Sequence, residues 1–222
     1  MTEGETQHVQ KAGWDKFTVP SILTLVGAIC VHICIGCQYA WGNISVYIVS
    51  YFRNSVGDTS VTMSQFYAVL PIIVVGSTIF FPIGMGLSPK IGPKFVVMIG
   101  GFFAIGSTFL SSYIQSATAW FFIYSVGFGI GKGFLYPGPL FAGWSHLPGR
   151  KGFVSGFIVS GLGIGAFIYG FLTTFLVNPD NDSAIATTVV TSSGTGIENF
   201  FPKEVSDRVP GMLRTLCLIW LC

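Results

Sequence analysis

From residue 59 to residue 179 this chain contains no aspartate and no glutamate. A soluble domain is about 25% charged and carries carboxylates on its surface, so this interval has no ordinary soluble fold open to it. The nine acids are Glu3, Glu5, Asp15, Asp58, Asp180, Asp182, Glu198, Glu204 and Asp207, confined to an N-terminal tail, one short connection and one long one. Over the whole chain 9% of residues are charged and 51% hydrophobic, with mean hydropathy +0.69. These values place the chain in the bilayer. A polar tail ahead of a first apolar run that is too long for a signal-peptide core fits a first span rather than a cleavable leader.

A span needs about 20 mostly apolar residues. The runs predict spans at 20–39 (with weaker apolar character through 51), 61–87, 95–114, 120–144 and 153–177, and a sixth that begins near Met212 and is cut off at Cys222. The expected fold is an all-α membrane protein with five complete transmembrane helices and a truncated sixth. It divides into a tail (1–19), a five-helix bundle (20–177), a loop (178–210) and the start of the sixth helix (211–222). Lysine and arginine in short loops set direction. Lys11 and Lys16, Lys90 and Lys94, and Arg150 and Lys151 fall on one side, predicted cytoplasmic together with the N-terminus. The loop 178–210 is then extracellular or lumenal, and its Asn181-Asp182-Ser183 acceptor pattern agrees with that side. Which membrane is involved does not follow from the residues.

Lys132 lies near the middle of the fourth run. A cation at membrane depth is costly and is normally kept where it faces a cavity, a partner charge or a substrate path. No apolar run contains an acid to neutralise it, which points to a small organic anion in transit. The alternatives are a snorkelling lysine, or pairing with a carboxylate from a part of the protein outside this sequence. Around it, Gly127/Gly131 and Gly129/Gly133 form two small-xxx-small pairs, repeated at Gly152/Gly156 and Gly161/Gly165 in the fifth run. In lipid such pairs let helices approach closely, and alternating glycines thin one helix on more than one face. Pro71, Pro82, Pro137 and Pro139 interrupt helical hydrogen bonds inside spans, which is tolerated where protein or a water-filled cavity supplies partners.

Other signals carry less. Gly127 to Gly133 superficially resembles a phosphate loop, but Val126 stands at the first required glycine and Gly133 at the hydroxyl position, inside a span. Nucleotide and nucleic-acid binding are not expected. Cys30, Cys34 and Cys37 are spaced to share a helical face and read as small packed residues, with no second His/Cys cluster to complete a metal site. His32 beside them is either a packed, hydrogen-bonded residue or a titrating group in a cavity. No triad-like set stands out, so neither enzymatic activity, a cofactor nor a metal is expected.

Three segments carry a family resemblance. Gly36-Cys-Gln-Tyr-Ala-Trp-Gly42 is similar to the first helix of oxalate:formate antiporters and monocarboxylate transporters. Gly84-Met-Gly-Leu-Ser-Pro-Lys90-Ile-Gly-Pro-Lys94 resembles the major facilitator loop motif between helices two and three. Trp144-Ser-His-Leu-Pro-Gly-Arg150-Lys151-Gly152 resembles the segment before the glycine-rich fifth helix of these anion carriers. The chain thus resembles the N-terminal half of a major facilitator superfamily transporter. The resemblance implies transport of a mono- or dicarboxylate such as oxalate or formate by alternating access, as exchange or cation-coupled uptake. In oxalate:formate antiporters the substrate-pairing basic residues belong to the C-terminal half, so Lys132 is expected at the site on its charge at depth: helices one and four line the cavity, Lys132 faces the substrate, Tyr39, Trp41, Asn43 and Tyr136 shape the site, and His32 lies beside it. Lys90, Gly92, Lys94, Arg150 and Lys151 would form the gating loops. Two departures stand out: Ser88 and Pro89 where the loop motif carries an acid, and Asn43 where monocarboxylate transporters carry a lysine. Asn43-Ile-Ser45 is then helical rather than a glycosylation site. The expected partners are the anion, the lipid bilayer and a missing C-terminal half or partner half. The contrasting expectations are a non-transporting fragment or half-carrier, and a membrane scaffold.

Overall fold

The computed structural model describes residues 17–191 and 194–221. The predicted tail with Lys11 and Lys16, and Cys222, lie outside the described residues, as do the two residues at 192–193.

The first helix begins at Thr18, whose hydroxyl accepts from the Ser21 amide at 3.4 Å while the Ser21 hydroxyl accepts from the Thr18 amide at 2.8 Å, a reciprocal cap. Helix α1 (Val19–Ile35) passes through a 3-10 turn (Gly36–Ala40) into α2 (Trp41–Ser50) and a π turn (Tyr51–Ser55). The predicted first span ended near Tyr39; the helical path instead continues to Ser55. The extra length stays helical because its apolar face is covered: Ile44, Ile48, Val49 and Phe52 are all buried. Short α3 (Met63–Phe66) leads into α4 (Val69–Ile91), then α5 (Pro93–Ser111), α6 (Ala117–Leu135), α7 (Pro137–His146), a 3-10 turn (Pro148–Arg150) and α8 (Lys151–Val177). A hairpin, β1 (Ile185–Thr191) and β2 (Gly194–Phe200), precedes α9 (Lys203–Ser206) and α10 (Val209–Leu221).

Four helical segments among the described residues are long and apolar enough to cross a bilayer: Val19–Ser55, Met63–Ile91, Pro93–Ser111 and Pro148–Val177. The expectation of five complete spans is corrected at the fourth: α6 is as long as α5, 19 residues, but its four glycines and Lys132 make it less apolar, and the run divides at Tyr136 into α6 and α7. Pro137 and Pro139 lack the amides that would continue α6, and they occupy the first turn of α7, where no intrahelical donor is required. The chain remains a mostly helical, multi-pass membrane protein. The β-hairpin in the loop 178–210 was not anticipated. Its first strand, Ile-Ala-Thr-Thr-Val-Val-Thr, is rich in β-branched residues, which favour a pleated surface. Ile185 pairs with Phe200 and Thr191 with Gly194.

Three of the four glycine pairs act as their spacing implies. A Cβ on Gly131 would lie 2.6 Å from the Ala104 amide nitrogen, and one on Gly127 would strike Ser107, so this pair seats α6 on α5. Gly129 and Gly133 face Ile73 and Phe80 of α4 instead. One helix is therefore thinned on two faces for two neighbours. Gly161 and Gly165 meet Ile29 and Ile33 of α1. The Gly152/Gly156 pair has open space around it and makes no such contact.

The connections separate into two ends. At one, Phe17 meets Phe153 with centroids 6.0 Å apart, and the Arg150 guanidinium lies 4.9 Å from the Phe17 ring. At the other, the hairpin docks on the first two helices. The Glu198 carboxylate accepts from the Met63 amide at 2.9 Å, Asn54 donates to the Phe201 carbonyl at 2.6 Å, and the Phe201 amide donates to Ser50 Oγ at 2.9 Å.

Candidate functional site

Two helices lose regularity at the same level. In the first, α1 gives way to the 3-10 turn at Gly36–Ala40, and burial rises along the three cysteines from exposed Cys30 through half-buried Cys34 to buried Cys37. Gly36 fits there because its Cβ position lies 2.5 Å from the Leu162 carbonyl oxygen of α8. In the second, the break at Tyr136 falls one turn beyond Lys132. Discontinuous helices at membrane depth free backbone and side-chain polar groups for a ligand, and 3-10 segments inside longer helices commonly mark hinges.

Lys132 is 6% exposed. Its Nζ stands 5.3 Å from the centroid of the Tyr39 ring, across the gap between the two helices. Among the described residues no carboxylate is within ion-pairing distance of it; the one ion pair is Arg208–Asp180, 3.4 Å, in the loop at the hairpin end. A cation at a helix centre in the bilayer costs about 2.5–3.5 kcal/mol on insertion scales. A cation–π contact returns about 0.5–2 kcal/mol. The ring offsets only part of the cost.

His32 is fully buried one turn before Gly36. Its Nδ1 lies 3.1 Å from the Ala28 carbonyl, and its ring meets Tyr136 edge-on with centroids 5.0 Å apart. A carbonyl only accepts, so Nδ1 carries the proton in this arrangement. Nε2 is buried with no protein partner among the described residues. Lys132 lies within electrostatic reach of His32 and of Cys37. Lys132, Tyr39, His32 and Tyr136 are therefore brought together at the two breaks.

Trp41 is placed in an aromatic stack with Trp120 and Tyr124, at 6.1 and 5.8 Å, and is buried there. Asn43 is helical and exposed, and donates to the Gly170 carbonyl of α8 at 3.3 Å. Of the expected gating residues, Gly92 has φ +88° and alone separates α4 from α5, a conformation that favours glycine. Lys90, Lys94 and Lys151 are exposed around it and at the start of α8, and Arg150 is half-buried over Phe17. Sequence reasoning missed Gln38. It is 1% exposed in the 3-10 turn, and neither amide atom finds a partner among the described residues. The argument applied to Lys132, a polar side chain at membrane depth, would have found it. The described residues hold no group of three or more His, Cys, Asp or Glu that could bind a metal.

No family model matches the chain. It is 29% identical to apicoplast pyruvate carrier 1 of Toxoplasma gondii, over 90% of this chain and 43% of the carrier. Apicoplast pyruvate carrier 2 of the same organism is 24% identical over 81% of this chain and 27% of its own length. Monocarboxylate transporter 9 of Pongo abelii is 33% identical over a shorter stretch, 39% of this chain. The chain is related to carboxylate transporters. It spans less than half the length of these relatives, and they are transporters rather than enzymes.

Proposed function

We propose that the chain forms the N-terminal half of a major facilitator carrier for small monocarboxylates, working by alternating access with Lys132 as the cation that meets the substrate carboxylate. The observation that carries this is a buried lysine with no carboxylate beside it among the described residues, placed where two helices break. Tyr39 and Tyr136 flank that charge, and the lone pair of His32 Nε2 provides a neighbouring acceptor. Relatives named for pyruvate and monocarboxylates favour a singly charged substrate of pyruvate or lactate size ahead of oxalate. One ammonium neutralises one carboxylate, which agrees with that order. In this reading the residues around Gly92 and Arg150 face the cytoplasm and the hairpin faces the opposite side, as the short-loop lysines and arginines favour.

The test is uptake of labelled pyruvate, lactate, formate and oxalate by the transport-competent form in proteoliposomes. Saturable monocarboxylate uptake, falling at least tenfold in Lys132→Gln and partly restored in Lys132→Arg, is the expected result. Uptake and affinity unchanged in Lys132→Gln would remove Lys132 from the site. A second reading, a half-carrier that needs a partner half, is favoured by Tyr39, which is 55% exposed at membrane depth beside the buried lysine. A second half packed against that side would enclose the anion. Transport seen with a second half and absent without it would establish this reading.

A further inference from the structure

A groove of about 790 Å³ runs between α5 and α10, and neither Lys132 nor Tyr39 lines it. Its walls are apolar, with Phe102, Ile105 and Phe109 from α5 and Leu218 and Trp220 from α10. Gly101 and Gly106 also line it, and a Cβ on either would meet nothing within 4 Å, so the space there is real. One polar side chain belongs to this lining. Arg214 donates through Nε to Ser112 Oγ at 3.1 Å and through Nη2 to the Ser112 carbonyl at 3.5 Å, and its guanidinium stands 4.2 Å from the Tyr113 ring centroid. Among the described residues no carboxylate pairs with Arg214.

The groove has the dimensions of one leaflet. Met98 at one end and Phe109 at the other lie on the same helix, about 16 Å apart at 1.5 Å per residue. Half of a hydrocarbon core of about 30 Å is about 15 Å. Arg214 and Tyr113 sit at the end of α5, the level at which a tyrosine marks the membrane–water interface. The opposite end, at Met98, lies about 22 Å from Tyr113 along α5, past the midplane and within the reach of one extended acyl chain.

We propose that this groove binds an anionic phospholipid of the leaflet at the hairpin end, with the phosphate on Arg214 and one acyl chain along α5 and α10. The charge decides the headgroup. A guanidinium fixed by Ser112 makes no ion pair among the described residues, and the choline of a zwitterionic lipid would bring a second cation next to it. The walls decide the rest: a free phosphate would use Arg214 and leave the apolar length of the groove empty.

The test is native mass spectrometry of the purified chain from micelles containing phosphatidylglycerol and phosphatidylcholine with the same acyl chains. Preferential retention of phosphatidylglycerol is expected. Arg214→Gln should reduce that preference at least tenfold, and Arg214→Lys should keep most of it. Gly106→Leu, whose Cβ would meet nothing within 4 Å and whose side chain would enter the groove, should reduce retention of both lipids. Quenching of Trp220 by phosphatidylglycerol brominated on its chains, read as the difference from Trp220→Phe, should be strong in the parent chain and weak in Gly106→Leu. Equal phosphatidylglycerol retention by Arg214→Gln would overturn the proposal. So would a lipid-free dimer, which would make a second copy the occupant, or displacement of the lipid by inorganic phosphate alone, which would make Arg214 a simple anion site.

Discussion

Lys132 and Tyr39 meet across two broken helices, the ammonium 5.3 Å from the ring centroid. The contact joins the 3-10 turn of the first helix to the segment just before the break at Tyr136, so the charge and both irregularities form one structural unit.

Stability and activity should separate at this lysine. Lys132→Met removes a buried charge with no carboxylate partner among the described residues, and loss of its desolvation penalty should leave stability unchanged or raised. The expected outcome in detergent is an unchanged or raised thermal midpoint together with loss of carboxylate uptake. A marked fall in midpoint would show that Lys132 has a structural counter-ion, and the anion-binding role would be withdrawn.

At Tyr39 the ring, rather than the hydroxyl, contacts the cation. Tyr39→Phe should keep most of the substrate affinity, while Tyr39→Ala removes a contact worth about 0.5–2 kcal/mol and should raise the half-saturation concentration several-fold. Comparable losses in both variants would assign the role to the hydroxyl.

The glycine pairs offer a contrast within one protein. Gly131→Leu drives a side chain into the Ala104 backbone and the Gly100 carbonyl and should cost several kcal/mol, beyond the usual 1–3 kcal/mol of overpacking, because backbone cannot swing aside. Gly156→Ala, at a position with open space, should be neutral or slightly stabilising by helix propensity. Thermal unfolding of the two variants side by side checks both.

Glu198 ties the hairpin to the start of α3 through the Met63 amide. Glu198→Ala should cost about 1–3 kcal/mol locally, the usual range for a charged hydrogen bond, and speed amide exchange in the hairpin without changing exchange in α6. Uniform acceleration across the bundle would show that the hairpin is part of the global unfolding unit.

Much of the site was legible, for one reason: in a bilayer every polar side chain is an exception that needs a cause. Lys132 and His32 announced themselves in this way, and Gln38 would have done so under the same rule. The glycine spacing likewise implied that α6 serves two neighbours. Trp41 was read from its motif as a site residue. Its position in the aromatic stack with Trp120 and Tyr124 depends on how far the 3-10 turn rotates the chain, which spacing does not encode. The hairpin escaped notice because 178–210 was read for charge and side alone, although the β-branched run of its first strand was visible.

By itself the sequence determined that this chain lives in a membrane, roughly where it crosses, and that Lys132 lies in an apolar stretch free of carboxylates, because these follow from hydropathy and charge along a line. The tertiary structure decided the rest: that the fourth run breaks at Tyr136, that Tyr39 and His32 converge on Lys132, and that Arg214 heads an apolar groove. Such facts depend on distances between residues far apart in the chain, which are set by backbone rotation at the breaks and by close packing through the glycines.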